Sequence, residues 1–429
     1  MNDALASLTR LPAAHAMGRR PGLTSVCSAH PLVIEAALLE AAATGAVACI
    51  EATCNQVNQD GGYTGMTPDD FRAFVLRIAA TLNFPAENIL FGGDHLGPNP
   101  WRKGSAEDAM AKAITMTRAY AAAGFGKIHL DASMSCADDP VPLPPYTMAA
   151  RAALLAQAAE EGAAIAHHPS PAYIIGTEVP VPGGAAEPLD RLTLTTPADA
   201  EQTMAIHARA FAALGLDAAF ARVVGLVVQP GVEFGQDNVI PFVPAAAQAL
   251  IAARAGLTAI YEAHSTDYQS ARSLRALVDG GFAILKVGPG LTFALREALY
   301  GLDLIAAELV PDYVAQTLPR AMEALMQAQP GDWAAYCHGS ETDQRLQRHF
   351  GYSDRIRYYW MQPMAGAAVE HLMQVLHNRP IPEPLISQYL PRLLGQPADA
   401  RSLLIAAVRH ALVPYSFACT DIVTPETPI

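Results

Sequence analysis

Asn88-Ile89-Leu90-Phe91-Gly92-Gly93-Asp94-His95-Leu96-Gly97-Pro98 is an aliphatic run that ends in two glycines, an acid and an imidazole. Taken as a strand, it delivers two titratable side chains into the loop that follows. A plainer reading makes Asp94 a cap for the next segment and His95 a loop histidine satisfied by its neighbours. The two readings are separated by what the rest of the chain does at comparable places.

Short runs rich in Val and Ile recur at 23–29, 46–55, 88–95, 127–133, 173–179, 223–230, 258–265 and 282–289. Each is closed by polar, Gly or Pro residues and followed by an Ala/Leu-rich helical stretch. Eight strands alternating with helices are the signature of an α/β fold closed as a (β/α)8 TIM barrel, whose chemistry sits at the C-terminal strand ends. An open doubly wound sheet would carry a glycine fingerprint after its first strand, and Cys27-Ser28-Ala29-His30-Pro31 has none. Thr67 before Pro68, and Ser105 before Glu107 and Asp108, mark helix starts, while Gly124 and Gly280-Gly281 mark helix stops. After Leu291 the pattern turns helical throughout. The expected organisation is an N-terminal segment (1–20), the barrel (21–310) and a helical extension packed on it (311–429). Within the extension, residues 353–360 read as an amphipathic helix with Ser353 as its N-cap.

Successive strand residues point to opposite faces. Cys49, Glu51, Thr53 and Asn55 share one face; so do Lys127, His129 and Asp131; Ile174, Gly176 and Glu178; Gly225, Val227 and Gln229; Ile260, Glu262 and His264; and Ile284, Lys286 and Gly288. Polar groups thus collect on one parity, which in a barrel is the interior. Acids, imidazoles and a lysine arriving there from several strands need partners, a metal or a ligand. His95 and His264 are natural ligands for a divalent ion such as zinc or manganese, with Glu178 or Glu262 as oxygen donor. Asp94 and Glu51 are the expected proton-transfer groups, and Asn55, Asp131, Gln229, Glu262, Lys286 and Gly288 the expected substrate contacts. Lys286 and the backbone of Gly288-Pro289-Gly290 follow the eighth strand, where barrels often hold phosphate. His30, His129, His167 and His168 carry no assignment, since a lone histidine is more often structural.

The 429 residues are 51% hydrophobic and carry a net charge of −13, so nothing invites nucleic acid or an anionic membrane. Six cysteines lack metal-like spacing and fit a reducing cytoplasm. Residues 1–20 have no continuous apolar core of a signal peptide. Glu35 and Glu40 interrupt the strongest apolar run, so no membrane span is expected.

Ser25 to Pro31, Glu51 to Thr53, Asn55 to Gln59, Gly61 to Met66, Gly92 to Asn99, Lys127 to Cys136, Gly176 to Gly184, Val228 to Phe234, Tyr261 to Gln269, Leu285 to Pro289 and Ser353 to Trp360 resemble the GatZ/KbaZ family. These are accessory subunits of class II D-tagatose-1,6-bisphosphate aldolase. The resemblance implies a TIM barrel, a role in galactitol or related ketose catabolism, a ketose or ketose phosphate as ligand, and a separate catalytic aldolase chain as partner. It also admits a metal-dependent ketose 4-epimerase or retro-aldol enzyme. Members are sometimes labelled tagatose-6-phosphate kinases, although this chain has no GxxxxGK[ST] loop or kinase motif, and no nucleotide is expected. A homo-oligomer is expected. Against the catalytic class II aldolases, Asp94 and His95 resemble the proton-transfer acid and a zinc ligand, and His264 resembles a second zinc histidine. Gln229 stands where the remaining histidine would be, and Lys286-Val287-Gly288-Pro289 replaces a phosphate-binding Asn-x-Asp motif.

Overall fold

The computed structural model describes residues 3–177 and 192–421, and within them the eight expected strands form one closed parallel barrel. They are β1 (Leu23–Cys27), β2 (Ala48–Thr53), β3 (Ile89–Leu96), β4 (Lys127–Leu130), β5 (Ala172–Ile175), β6 (Val223–Val228), β7 (Ile260–Ala263) and β8 (Phe282–Val287). Each pairs with its sequence neighbours, and β8 closes on β1 through Leu23↔Ile284 to Val26↔Val287.

Strand parity sorts the apolar residues into two bodies. Ile50, Ile128, Leu130, Tyr173, Ile175, Leu226, Tyr261 and Leu285 face outward and pack under the helices. Leu23, Cys49, Leu90, Ile174, Val227, Ile260 and Ile284 face inward and form a dry floor. Leu5, Leu8 and Leu11, from the short helices Asp3–Thr9 and Leu11–Ala16, join that floor. Each such burial contributes on the order of 1.5–3 kcal/mol. The N-terminal segment is therefore a plug for one end of the barrel, and the charged interior groups crowd towards the other.

Local sequence sets the helix boundaries. Thr67 and Asp70 form a reciprocal capping box at the helix Pro68–Thr81, and the Ser105 hydroxyl accepts from the Asp108 amide at 3.1 Å. Gly124 and Gly281 leave their helices at φ +86° and +91°, left-handed conformations that glycine tolerates without strain.

The extension comprises helices Thr317–Ala328, Glu341–Phe350, Pro363–Val375, Glu383–Tyr389 and Ala400–Cys419. By length and composition alone Ala400–Cys419 would be enough for a membrane span. Leu403, Leu404, Val408, Leu412 and Tyr415 of this helix are instead buried against the barrel helices Pro31–Thr44, Ala271–Asp279 and Pro289–Leu309. Residues 353–360 do not form the expected amphipathic helix. Asp354 takes φ +48°, which limits the segment to a single 3-10 turn at Arg355–Tyr358, and the Ser353 hydroxyl donates to Gln236 Oε1 rather than capping a helix. This turn lies across the open end of the barrel.

Candidate metal centre and the barrel mouth

In regular strand geometry Asp94 and His95 would face opposite ways. The β3–β4 register jumps here, from Gly93↔Ile128 to Leu96↔Leu130, so three steps on β3 match two on β4. His95 absorbs the extra residue at φ +51°. This bulge turns both side chains inward, the usual use of bulges beside functional sites. Gly92 is required one step earlier, since a Cβ there would lie 2.6 Å from Cγ of Glu51.

Two layers result. The first is ionic and fully buried. Lys127 Nζ lies 2.6 Å from Glu51 Oε1 and 2.7 Å from Glu262 Oε2. Lys286 Nζ lies 2.7 Å from Glu51 Oε2, 3.5 Å from Glu262 Oε1 and in contact with Asp94 Oδ1. Burial alone would discharge these groups, but the ion pairs win: Lys127 and Lys286 are held above the usual lysine range, and Glu51 and Glu262 below the usual glutamate range.

The second layer consists of imidazoles. Rings of His95, His129 and His264 pack edge-to-face with centroids 4.9 to 5.2 Å apart. His95 Nδ1 meets Asp131 Oδ2 at 2.7 Å, and Asp131 is fixed in turn by the Ser133 hydroxyl at 2.6 Å. His264 Nε2 meets Glu262 Oε1 at 2.8 Å, and His129 Nδ1 meets Asp94 Oδ1 at 3.1 Å. His95 and His264 each have one nitrogen held by a carboxylate, the arrangement that fixes the tautomer of metal-binding histidines, whereas His129 Nδ1, beside Asp94, also accepts from the His95 amide at 3.2 Å. Burial pushes His129 down and His264 to about 3, so both are neutral and have a lone pair to offer. His95 differs: burial opposes its charge, but Asp94 and Asp131 lift it above the ordinary value, so an arriving cation displaces a proton.

One donor each from Asp94, His95, His129 and His264 lies within 4.8 Å of the others, so this buried cluster is positioned to chelate a divalent metal ion. Two further observations fit a cation. His129 Nε2 is buried without a hydrogen-bond partner among the described residues. With neutral imidazoles, four carboxylates (Glu51, Asp94, Asp131, Glu262) face two ammonium groups (Lys127, Lys286), and a divalent ion cancels the surplus of two negative charges.

Asp94, His95, His264 and Lys286 face a cavity at the barrel mouth, together with Asn55, Tyr63, Asp267, Gly288, Arg357 and Tyr358. Glu51, Asp131 and Glu262 lie behind this surface, touching the lysines and histidines. Gln229 is turned onto its own loop, its Oε1 accepting from the amides of Gly231 and Val232 at 2.9 and 3.1 Å. The Gly288 and Gly290 amides donate to Asp267 Oδ1 at 3.0 and 2.8 Å. Glu178 lies outside the described residues. His30 caps the helix Pro31–Thr44 through Nδ1. His129, Asp267 and Arg357 were not picked out from the sequence. His129 shares its parity with Lys127 and Asp131, a usable signal; Asp267 and Arg357 have none of comparable strength. A larger cavity, of about 490 Å³, lies at the plugged end beside Arg10, Thr44 and Leu412, and contains none of these groups.

The family described as D-tagatose-1,6-bisphosphate aldolase subunit GatZ/KbaZ-like matches residues 8–420. A D-tagatose 6-phosphate 4-epimerase of Agrobacterium fabrum strain C58 is 55% identical over 414 residues, covering 96% of this chain and 97% of that protein. A crystal structure of a probable tagatose 6 phosphate kinase from Sinorhizobium meliloti 1021 is also similar. It is 55% identical, superposes with a TM-score of 0.86, and covers 93% of this chain and 100% of that one.

Proposed function

This chain belongs to the GatZ/KbaZ-like family of D-tagatose-1,6-bisphosphate aldolase subunits, and from that premise we propose that it is itself an enzyme, a metal-dependent 4-epimerase of ketose 6-phosphates. The observation that carries this reading is the carboxylate-oriented histidine cluster opening on the barrel mouth. A purely supporting subunit has no need of three imidazoles and a carboxylate brought within 4.8 Å of one another. The 55% identity to a tagatose 6-phosphate 4-epimerase along nearly the whole of both chains supports the same reading. A sugar-phosphate role in tagatose-type ketose metabolism is common to the family and to both relatives.

Inversion at C4 of a ketose is accessible by retro-aldol chemistry. The C4 hydroxyl loses its proton, the C3–C4 bond breaks, and its electron pair passes to a three-carbon enediolate. The three-carbon aldehyde phosphate turns its other face, the bond re-forms, and the proton returns to the new C4 oxygen. A bound divalent ion supplies Lewis acidity for the carbonyl and the charge that develops on it.

The chain's residues supply the rest. Asp94 is ionised, because burial is outweighed by His95, Lys286 and His129, which hold it well below the usual aspartate range. It lines the mouth, which supports a role for it in taking and returning the C4 hydroxyl proton. Lys286 contacts Asp94 and stays protonated, offsetting negative charge as it develops. Glu51 acts through the two lysines as a positioning residue. Asp131 and Glu262 orient His95 and His264, Asn55 and Gly288 line the substrate space, and Gln229 shapes the loop after β6.

The test is to incubate the metal-loaded chain alone with D-tagatose 6-phosphate in D2O and follow the sugar by NMR. The expected result is the C4 epimer, D-fructose 6-phosphate, with no deuterium at C4, because the C4–H bond is never broken. Unchanged substrate over a range of divalent metals would refute the epimerase reading and favour a supporting role beside an aldolase chain.

A further inference from the structure

Two permanent cations face the barrel mouth among the described residues, Lys286 and Arg357. Lys286 is already surrounded by Asp94, Glu51 and Glu262. Arg357 reaches the mouth from the 3-10 turn of the C-terminal extension. Its Nη1 donates to the Ser353 carbonyl and, at 3.1 Å, to the Asp354 carbonyl, and its Nη2 donates to the Tyr358 hydroxyl at 2.9 Å. These are three of the five donors of a guanidinium. No carboxylate lies within ion-pair distance of Arg357 among the described residues.

The surroundings hold this cation in place. Its guanidinium carbon is 4.5 Å from the centre of the Tyr358 ring, and Tyr358 packs edge-on against Tyr63 at 4.9 Å. Arg357 also lines a smaller adjoining cavity with Ser28, His30 and Thr292, and the two cavities share Gln56, Tyr63 and Gly288.

The obvious alternative anion site is taken. The helix Pro289–Leu309 starts at the mouth, and its first amides would ordinarily attract a phosphate. Asp267 already occupies them with one carboxylate oxygen. An arriving phosphate therefore meets a carboxylate at the helix start and an unpaired guanidinium beside it.

We propose that Arg357 is the phosphate-recognising residue of this site, so that the C-terminal extension sets the preference for a phosphorylated over a free ketose. This rests on the epimerase reading above. A guanidinium presents a planar fork matched to phosphate oxygens, which an ammonium lacks. The barrel then supplies the chemistry at C3 and C4, and the extension holds the far end of the substrate.

The experiment uses the full metal-loaded chain with Arg357→Gln and Arg357→Lys. The ratio of kcat/KM for ketose 6-phosphate to that for the free ketose should fall roughly ten- to hundred-fold in the Gln variant, the range for a lost charged hydrogen bond. The Lys variant should recover part of it. In parallel, inorganic phosphate should raise the thermal midpoint of the unmodified chain and leave that of Arg357→Gln unmoved. An unchanged ratio, or equal losses on both sugars, would overturn the proposal, as would no phosphate shift in the unmodified chain. If the unmodified chain turns over neither sugar, the epimerase reading fails, and the phosphate titration alone judges Arg357. Should Arg357→Gln fail to fold, Arg357→Lys serves in both measurements, with a smaller but measurable loss expected.

Discussion

Lys127 and His129 are two residues apart on β4, both fully buried and both pointing into the barrel, yet they belong to regions in opposite conditions. Lys127 sits between two glutamates at 2.6 and 2.7 Å, so its charge is paired. His129 has one nitrogen on Asp94 and the other buried without a partner among the described residues. The ionic layer balances buried carboxylates with buried ammonium groups, and Lys127 at its base supports the site above. The imidazole layer is positioned to chelate a divalent ion, and it is the layer to which the proposed chemistry is assigned.

The hardest test of the comparison is to unbalance the ionic layer. Lys127→Met leaves Glu51 and Glu262 with Lys286 alone, and should cost about 3–5 kcal/mol of folding stability in urea unfolding, the usual price of an orphaned buried charge. If stability hardly changes, the ionic layer is not the support claimed for it.

A finer probe acts between the layers. Asp131→Asn keeps the shape but weakens the hold on His95 Nδ1, and should reduce divalent-metal affinity roughly 10- to 100-fold by competition titration. The fold should be retained, because Asp131 is outside the lysine network.

The smallest effect concerns pH. Burial raises Glu233 to about 7, from an ordinary value of 4.5. The folded chain therefore holds a proton that the unfolded chain has released between these values, and this group's contribution is lost as pH rises through about 7. Glu233→Gln removes that slope, so the thermal midpoint of the variant relative to the parent should be higher at pH 8 than at pH 5, by roughly 2 °C. Equal differences at the two pH values would show that Glu233 is not buried in its neutral form.

These contrasts also show what the sequence could carry. The alternation of Val/Ile-rich runs with alanine-rich helices located all eight strands, because strand period and helix period are local properties. Parity placed Glu51, Lys127, Glu262, His264 and Lys286 on the interior, since it follows from the same local geometry. His129 had the right parity but no partner nearby in sequence, and its partner Asp94 comes from another strand. The inward turn of His95 needed the β3 bulge, which breaks parity and leaves no composition signal beyond Gly92-Gly93. Arg357 was hidden for a different reason. Its segment is aromatic and charged like many packed helices, and only the left-handed Asp354 reveals that it ends as a turn over the mouth.

The most direct measurement is the metal content of the purified full chain beside His129→Ala, by elemental analysis after divalent-metal loading and desalting. The account predicts close to one divalent ion per unmodified chain and essentially none in the variant, which should remain folded because the lysine network beneath is intact. A metal-free chain that still epimerises ketose 6-phosphate, or a variant that keeps its ion, would contradict it.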